Sequence, residues 1–177
     1  MKKTVFLLQV LILLLVCSST AFSNKWLADE PIDRQSTNIN VDLQGSGKIM
    51  AFHDCIPDIY DEHWQNGILS GNILYPDQTD YNTWGNDWVE YNLDKKYKEL
   101  QGAFFNPKAG FTNREGSYHI KIIGDGKILY QNSAWNGNSH SSTFDINVTG
   151  VKLLKISFEW GKGKFWSPIG IGNAILL

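Results

Sequence analysis

Short stretches in which apolar and polar residues alternate with period two constrain this chain more than any other feature. Tyr118, Ile120 and Ile122 alternate with His119 and Lys121, and Gly124-Asp125-Gly126 separates them from the apolar run Ile128-Leu129-Tyr130. Such alternation places every second side chain on one face of a strand. Asp-Gly between two such runs supplies the positive φ that a tight hairpin turn requires. The pattern recurs in Ile39, Val41 and Leu43, where Gly45-Ser46-Gly47 turns the chain into Lys48 to Phe52. It recurs again in Val89, Tyr91 and Leu93, and in Phe144, Ile146 and Val148, which Thr149-Gly150 joins to a strand from Leu153 to Phe158. A last strand is predicted through Ala174 to Leu177. Residues 54–88, rich in Asp, Asn, Tyr and Trp, read as long loops with one short strand or helical turn at most. No segment carries apolar residues at helical spacing over ten or more positions. Strands without interleaved helices predict an all-β sandwich or jelly roll rather than a parallel α/β sheet.

The amino terminus reads as an address. Lys2 and Lys3 precede the run Val5 to Val16, broken only by Gln9, which suits the hydrophobic region of a signal peptide and is shorter than a membrane span. Ala21-Phe22-Ser23 offers small residues before a cut, which gives a signal peptide at 1–23 and a mature start near Asn24. The expected location is therefore outside the cell or in its envelope. Lipid anchoring at Cys17 is the competing reading, and Val16 disfavours it by occupying the place where a small residue is usual. Residues 24–35 are read as an amino-terminal extension, and residues 36–177 as one sandwich domain.

With the leader removed, 14 basic residues face 18 acidic ones, a balance that gives no general attraction to nucleic acid or anionic lipid. Cys55 is then the sole cysteine, so no intrachain disulfide is available and packing alone must hold the core. Its thiol could be nucleophilic, although a small filler is the more common role of such a residue. All seven Trp, all seven Tyr and seven of the nine Phe lie in the mature part. Tyr91, Tyr118, Phe144 and Phe158 fall on alternating stretches and are explained by packing. The tryptophans at predicted strand ends and loops, Trp84, Trp88, Trp135, Trp160 and Trp166, are not.

Four blocks of sequence have a more specific order than their class. Trp88 to Leu93, Tyr97 to Gly102 and Ser117 to Tyr130 are followed by Phe144 to Ile156, a strand, a Gly turn and a strand in the pattern V-x-G-V-x-x-L. In this order they resemble the NPCBM family, domains of the carbohydrate-binding module family 51 type found beside glycoside hydrolases, over residues 84–177. The resemblance implies a galactose-binding-like jelly-roll β-sandwich, usually calcium-bearing, that binds glycans through loops at one end and catalyses nothing. The chain departs from the family at three places. Gly85-Asn86-Asp87 stands where a His is typical, Asn106-Pro107 where a pair of acids is frequent, and Ser167-Pro168-Ile169-Gly170-Ile171 where an acidic loop bearing Trp is expected. These departures motivate a second reading, in which the fold persists as a surface protein that contacts other proteins through a decayed sugar site.

A pyranose is held by a flat aromatic face against its C–H face and by a few fixed polar groups for its hydroxyls. Trp84 and Trp135, supported by Asn86, Asn136 and Arg114 and with Trp166 as a third aromatic, are the ligand-binding candidates. The plain alternative is that these indoles cap the core and that Arg114 pairs with a nearby acid such as Glu115. For Ca2+, the oxygen-rich stretch around Asp54, Asp58 and Asp61 is the candidate, and Asp77-Gln78-Thr79-Asp80 a second; no zinc-like spacing is present. The expected partner is a glycan or glycoconjugate, or a protein at the cell surface. A small glycosidase is the rival class, with Glu62 and Glu90 as a conceivable carboxylate pair, but no nucleophile-elbow or His-Glu-x-x-His signature occurs. The sequon Asn147-Val148-Thr149 lies on a predicted strand and is read as incidental.

Overall fold

The computed structural model describes residues 24–36, 49–70, 85–108, 117–160 and 169–177. Along these residues run β1 (Lys25–Trp26), β2 (Ile32–Gln35), β3 (Met50–Phe52), β4 (Ile56–Pro57), β5 (His63–Trp64), β6 (Gly67–Ser70), β7 (Gly85–Asn92), β8 (Glu99–Phe105), β9 (Ser117–Gly124), β10 (Lys127–Asn136), β11 (Ser142–Asn147), β12 (Leu153–Trp160) and β13 (Ile169–Leu176). One sheet has the order β11-β8-β13-β6-β3, with β1 also on β13, and the other has the order β10-β9-β12-β7-β2. Each strand pairing is antiparallel. The two sheets face each other across one core, and β4 and β5 form a separate small ribbon.

The alternation dictates this arrangement. On β9, Tyr118, Ile120 and Ile122 are buried while His119 is exposed; on β7, Val89 and Tyr91 are buried on either side of Glu90. Leu154, Ile156 and Phe158 of β12 complete the inner face of the five-stranded sheet. Each such side chain withdrawn from water contributes about 1.5–3 kcal/mol before the entropy of ordering it is subtracted. At the β9–β10 turn, Asp125 has φ 47° and Gly126 has φ 81°, the pair of positive values that a tight primed hairpin needs. Tyr91, Tyr118, Phe144 and Phe158 are all buried.

Four features depart from the sequence expectation. Residues 24–35 are built into both sheets rather than standing outside the domain: β1 pairs with β13, β2 pairs with β7, and Leu27 is fully buried. Two- and four-residue strands are too short to show a period. Within residues 54–88, expected as long loops with one short strand or helical turn, β6 is an inner strand between β13 and β3, and β7 begins at Gly85. β6 is buried on both faces, with Ile68 in the main core and Leu69 in a second cluster with Phe52 and Phe105, so alternation is absent. The last strand starts at Ile169 rather than Ala174. Its glycines make room for side chains of the neighbouring elements: a Cβ on Gly170 would lie 2.3 Å from Phe105 Cε1, and one on Gly172 would lie 2.6 Å from Trp64 Cβ. Finally, Trp88 lies within β7, opposite Ser157 of β12, with Lys155 Nζ 4.2 Å from its ring centroid, and not at a strand end. The predicted strand at Ile39, Val41 and Leu43 lies outside the described residues.

Candidate functional site

The register brings the ends of both sheets together at one pole of the sandwich. In the six-stranded sheet, Ser70 pairs with Ile169, Phe105 with Gly170 and Phe104 with Ser142. In the five-stranded sheet, Gly85 and Tyr118 flank Trp160, and Ser117 pairs with Asn136. Two polar contacts tie these ends across the core. Ser70 Oγ donates to Asp87 Oδ2 at 2.7 Å, with both residues buried. Trp135 Nε1 donates to Asn106 Oδ1 at 2.9 Å, also in the interior.

Asn106 uses its whole side-chain amide. While Oδ1 accepts from Trp135, Nδ2 donates to the carbonyls of Asn136 and Ser139, each at 3.0 Å, and the Asn106 carbonyl accepts from the Ile59 N–H at 3.0 Å. One buried residue therefore ties together the end of β8, β10 and the 137–141 turn through its side-chain amide, and the 53–64 segment through its main-chain carbonyl. That segment is organised by Asp58, itself buried. Asp58 Oδ1 accepts from the Tyr60 and Glu62 N–H groups at 2.8 and 2.9 Å, and Oδ2 accepts from Trp64 Nε1 at 3.2 Å. Trp64 then stacks on Phe105, with centroids 5.8 Å apart, and covers the outer face of the six-stranded sheet. The segment is clasped to the 137–141 turn by Tyr60, whose hydroxyl donates to the Asn138 carbonyl and whose ring stacks on His140, and by a hydrogen bond from Ser141 Oγ to Glu62 Oε2.

The candidate residues fare differently. Trp135 is only 2% exposed and packs edge-on against Phe104, so it forms the floor of this pole and offers no open face. Asn136 is half-buried and shapes the 137–141 turn, its side-chain oxygen accepting from the Asn138 N–H at 2.8 Å. Asn86 lies on β7 opposite Glu159. Trp84, Arg114 and Trp166 lie outside the described residues, but in sequence they come just before Gly85, Ser117 and Ile169, which open β7, β9 and β13 at this pole.

The three aspartates proposed for Ca2+ do not fit that ion. Calcium takes six to eight oxygen ligands. Both Asp58 oxygens are already occupied by N–H donors, and Asp61 is held by Lys108, whose hydrogen bond keeps the Asp61 carboxyl below the usual carboxylate range. Asp54 is exposed, and among the described residues no three of His, Cys, Asp and Glu gather in a group that could hold a metal. Asp77-Gln78-Thr79-Asp80 lies outside the described residues. The two glutamates of the glycosidase reading are also separated. Glu90 lies on the outer face of the five-stranded sheet, ion-paired to Arg34 at 2.6 Å, whereas Glu62 belongs to the clasp beside β11.

Asn106, Asp58, Tyr60 and His140 were not legible as a group. Their one sequence signal is the density of polar residues between His53 and His63, which reads as a metal cluster and proves to be a hydrogen-bonded loop.

Comparison with known proteins agrees with this architecture. Residues 82–166 match the family model of the NPCBM/NEW2 domain. No curated protein sequence matches the chain. Among solved structures, CBM51 from Clostridium perfringens GH95 in complex with methyl-galactose superposes with a TM-score of 0.61 at 13% identity, covering 88% of this chain and 100% of that one. CBM51-2 in complex with GlcNAc and INT domains from Clostridium perfringens ZmpB gives 0.58 at 12% identity, covering 87% of this chain and 31% of that one. The tandem CBM51 modules of Sp3GH98, the family 98 glycoside hydrolase from Streptococcus pneumoniae SP3-BS71, give 0.58 at 12% identity, covering 87% of this chain and 47% of that one. This chain thus spans less than half of the last two. At such identities the likeness shows the fold alone. The match of residues 82–166 to the NPCBM/NEW2 domain and the likeness of the antiparallel sandwich to CBM51 modules agree on the same fold.

Proposed function

We propose that this chain is an exported, non-catalytic carbohydrate-binding module whose ligand is taken at the pole where β6, β8, β10 and β12 end and β7, β9, β11 and β13 begin. One observation carries the reading: strand register sets the sequence neighbours of Trp84, Asn86, Arg114, Asn136 and Trp166 at that single pole, over a floor made rigid by Trp135 and Asn106. Aromatic and amide residues that adjoin a fixed floor in sequence suit a sugar, because the entropy of ordering that floor is met during folding. CBM51 relatives bound to methyl-galactose and to GlcNAc support sugars of this size as ligands. Residues 1–23 support export, with cleavage before Asn24.

Titrating intrinsic tryptophan fluorescence with galactosides, N-acetylglucosamine and mucin, with and without calcium, tests the reading. Saturable quenching or enhancement by at least one sugar is expected, and is expected to be lost in a Trp84→Ala, Trp166→Ala double variant that keeps its melting temperature. A folded chain that responds to no glycan would overturn carbohydrate binding and leave the protein-contact reading in its place.

A further inference from the structure

Tyr60 combines two properties that rarely occur together: it is 42% exposed, and it is held on three sides. Its N–H donates to Asp58 Oδ1 at 2.8 Å and its hydroxyl donates to the Asn138 carbonyl at 2.8 Å. One face of its ring stacks on His140, with centroids 3.9 Å and planes 11° apart. Since His140 covers that face, the exposure belongs to the opposite face and the edge. An ordinary surface tyrosine would exchange rotamers at this exposure, so the fixed ring costs side-chain entropy. Tyr60 is not the segment's sole anchor, because Asp58 and the main-chain carbonyl of the buried Asn106 also hold residues 53–64. Asp61 and Glu62 follow directly in the chain, Asp61 paired to Lys108 and Glu62 bonded to Ser141. These side chains supply carboxylate acceptors and an ammonium donor in the residues that follow Tyr60 and in their partner Lys108.

We infer that the open face of Tyr60, backed by His140 and flanked by Asp61, Glu62 and Lys108, is a stacking subsite for a neutral pyranose residue. This rests on the carbohydrate reading above and extends it sideways from the pole onto the 53–64 segment. Preorganisation is the physical reason: a ring already fixed stacks on the sugar without further ordering cost. Neutrality follows from charge, since two exposed carboxylates face one ammonium here and repel sialylated or uronic sugars.

The test is binding of the chain and its variants to an array of immobilised neutral and sialylated glycans, with folding checked by melting temperature. Tyr60→Ala is expected to weaken retention of the neutral glycan by about tenfold, and Tyr60→Phe, which keeps the ring face and loses only the tether to Asn138, by about threefold or less. His140→Ala is expected to fall between them. If wild type binds a neutral glycan and Tyr60→Ala binds it equally, the subsite is overturned and the carbohydrate reading stands. If Tyr60→Phe loses as much as Tyr60→Ala while both remain folded, Tyr60 acts through its tether and is no platform. A Tyr60-dependent preference for the sialylated glycans would overturn the neutral assignment. Failure of wild type to bind any glycan defeats the carbohydrate reading itself.

Discussion

At the pole that carries Asp94, Asp125 and Gly150, the strands are joined by tight turns whose backbone groups bond directly to one another, whereas at the opposite pole the strand ends are held by buried side chains. In the first, Leu93 N–H donates to Lys152 O at 2.8 Å, Lys95 N–H to Val151 O at 3.0 Å and Val148 N–H to Lys98 O at 2.8 Å. In the second, Asn106, Trp135, Asp58 and the Ser70–Asp87 pair perform the joining. Closure mostly by backbone groups, with Asp125 as a side-chain cap, leaves little that substitution can vary, so the first pole suits a structural role. Side-chain closure frees the connecting segments to differ in length and chemistry, which is how a rigid sandwich comes to carry function in loops.

If that contrast is right, the largest single loss of stability belongs to the side-chain pole. Trp135→Ala removes a buried indole from contact with Phe104, and about 3–5 kcal/mol is expected in urea unfolding monitored by circular dichroism. Asn106→Ala comes next. It leaves the Trp135 Nε1–H and the Asn136 and Ser139 carbonyls without their partner, for about 1–3 kcal/mol. The 53–64 segment should also gain amide exchange, since Ile59 N–H depends on the position of Asn106. A loss below that of a turn glycine would erase the distinction between the poles.

How legible the two poles were in the sequence follows from the same difference. The turn pole announces itself, because positive φ demands particular residues: Asp125-Gly126 and Thr149-Gly150 predict turns from local chemistry, and Gly126 and Gly150 have φ of 81° and 78°. The strands that meet there alternate, because one face is buried and one is wet. At the other pole the linkages join residues far apart in the chain, such as Tyr60 with Asn138 and Asn106 with Trp135, and no local pattern encodes them. Trp135 next to Asn136 looks like a sugar platform in sequence; only the partner Asn106, brought in by β8, shows that the indole faces inward. β6 was hidden for a related reason, since burial on both faces erases the alternation that reveals a strand.

A smaller loss is expected at the turn pole from Gly150→Ala. Nothing lies within 4 Å of the added Cβ, so the cost is the backbone alone, about 1–2 kcal/mol for an L-residue forced into the left-handed region. A melting-temperature shift larger than that of Asn106→Ala would mean that the turn pole, not the side-chain pole, limits stability.

The smallest effect, and the one that most sharpens the contrast, is the acid response of Asp125. Its oxygens accept from the Leu153 N–H at 2.9 Å and the Lys152 N–H at 3.1 Å, and these bonds, the one to Leu153 foremost, hold its carboxyl below the usual carboxylate range. A depressed folded-state value means that the unfolded chain takes up the proton first. The stabilisation is therefore fully present above the unfolded value, about pH 4, and is lost as pH falls through the lower folded value. Asp125→Asn keeps the shape, replaces one acceptor oxygen with an amide and does not titrate. It should be less stable than wild type at pH 7, and the two stabilities should converge below about pH 4. Unfolding midpoints measured at both pH values decide this: a gap that persists in acid would mean that Asp125 acts through its shape at φ 47° and not through its charge.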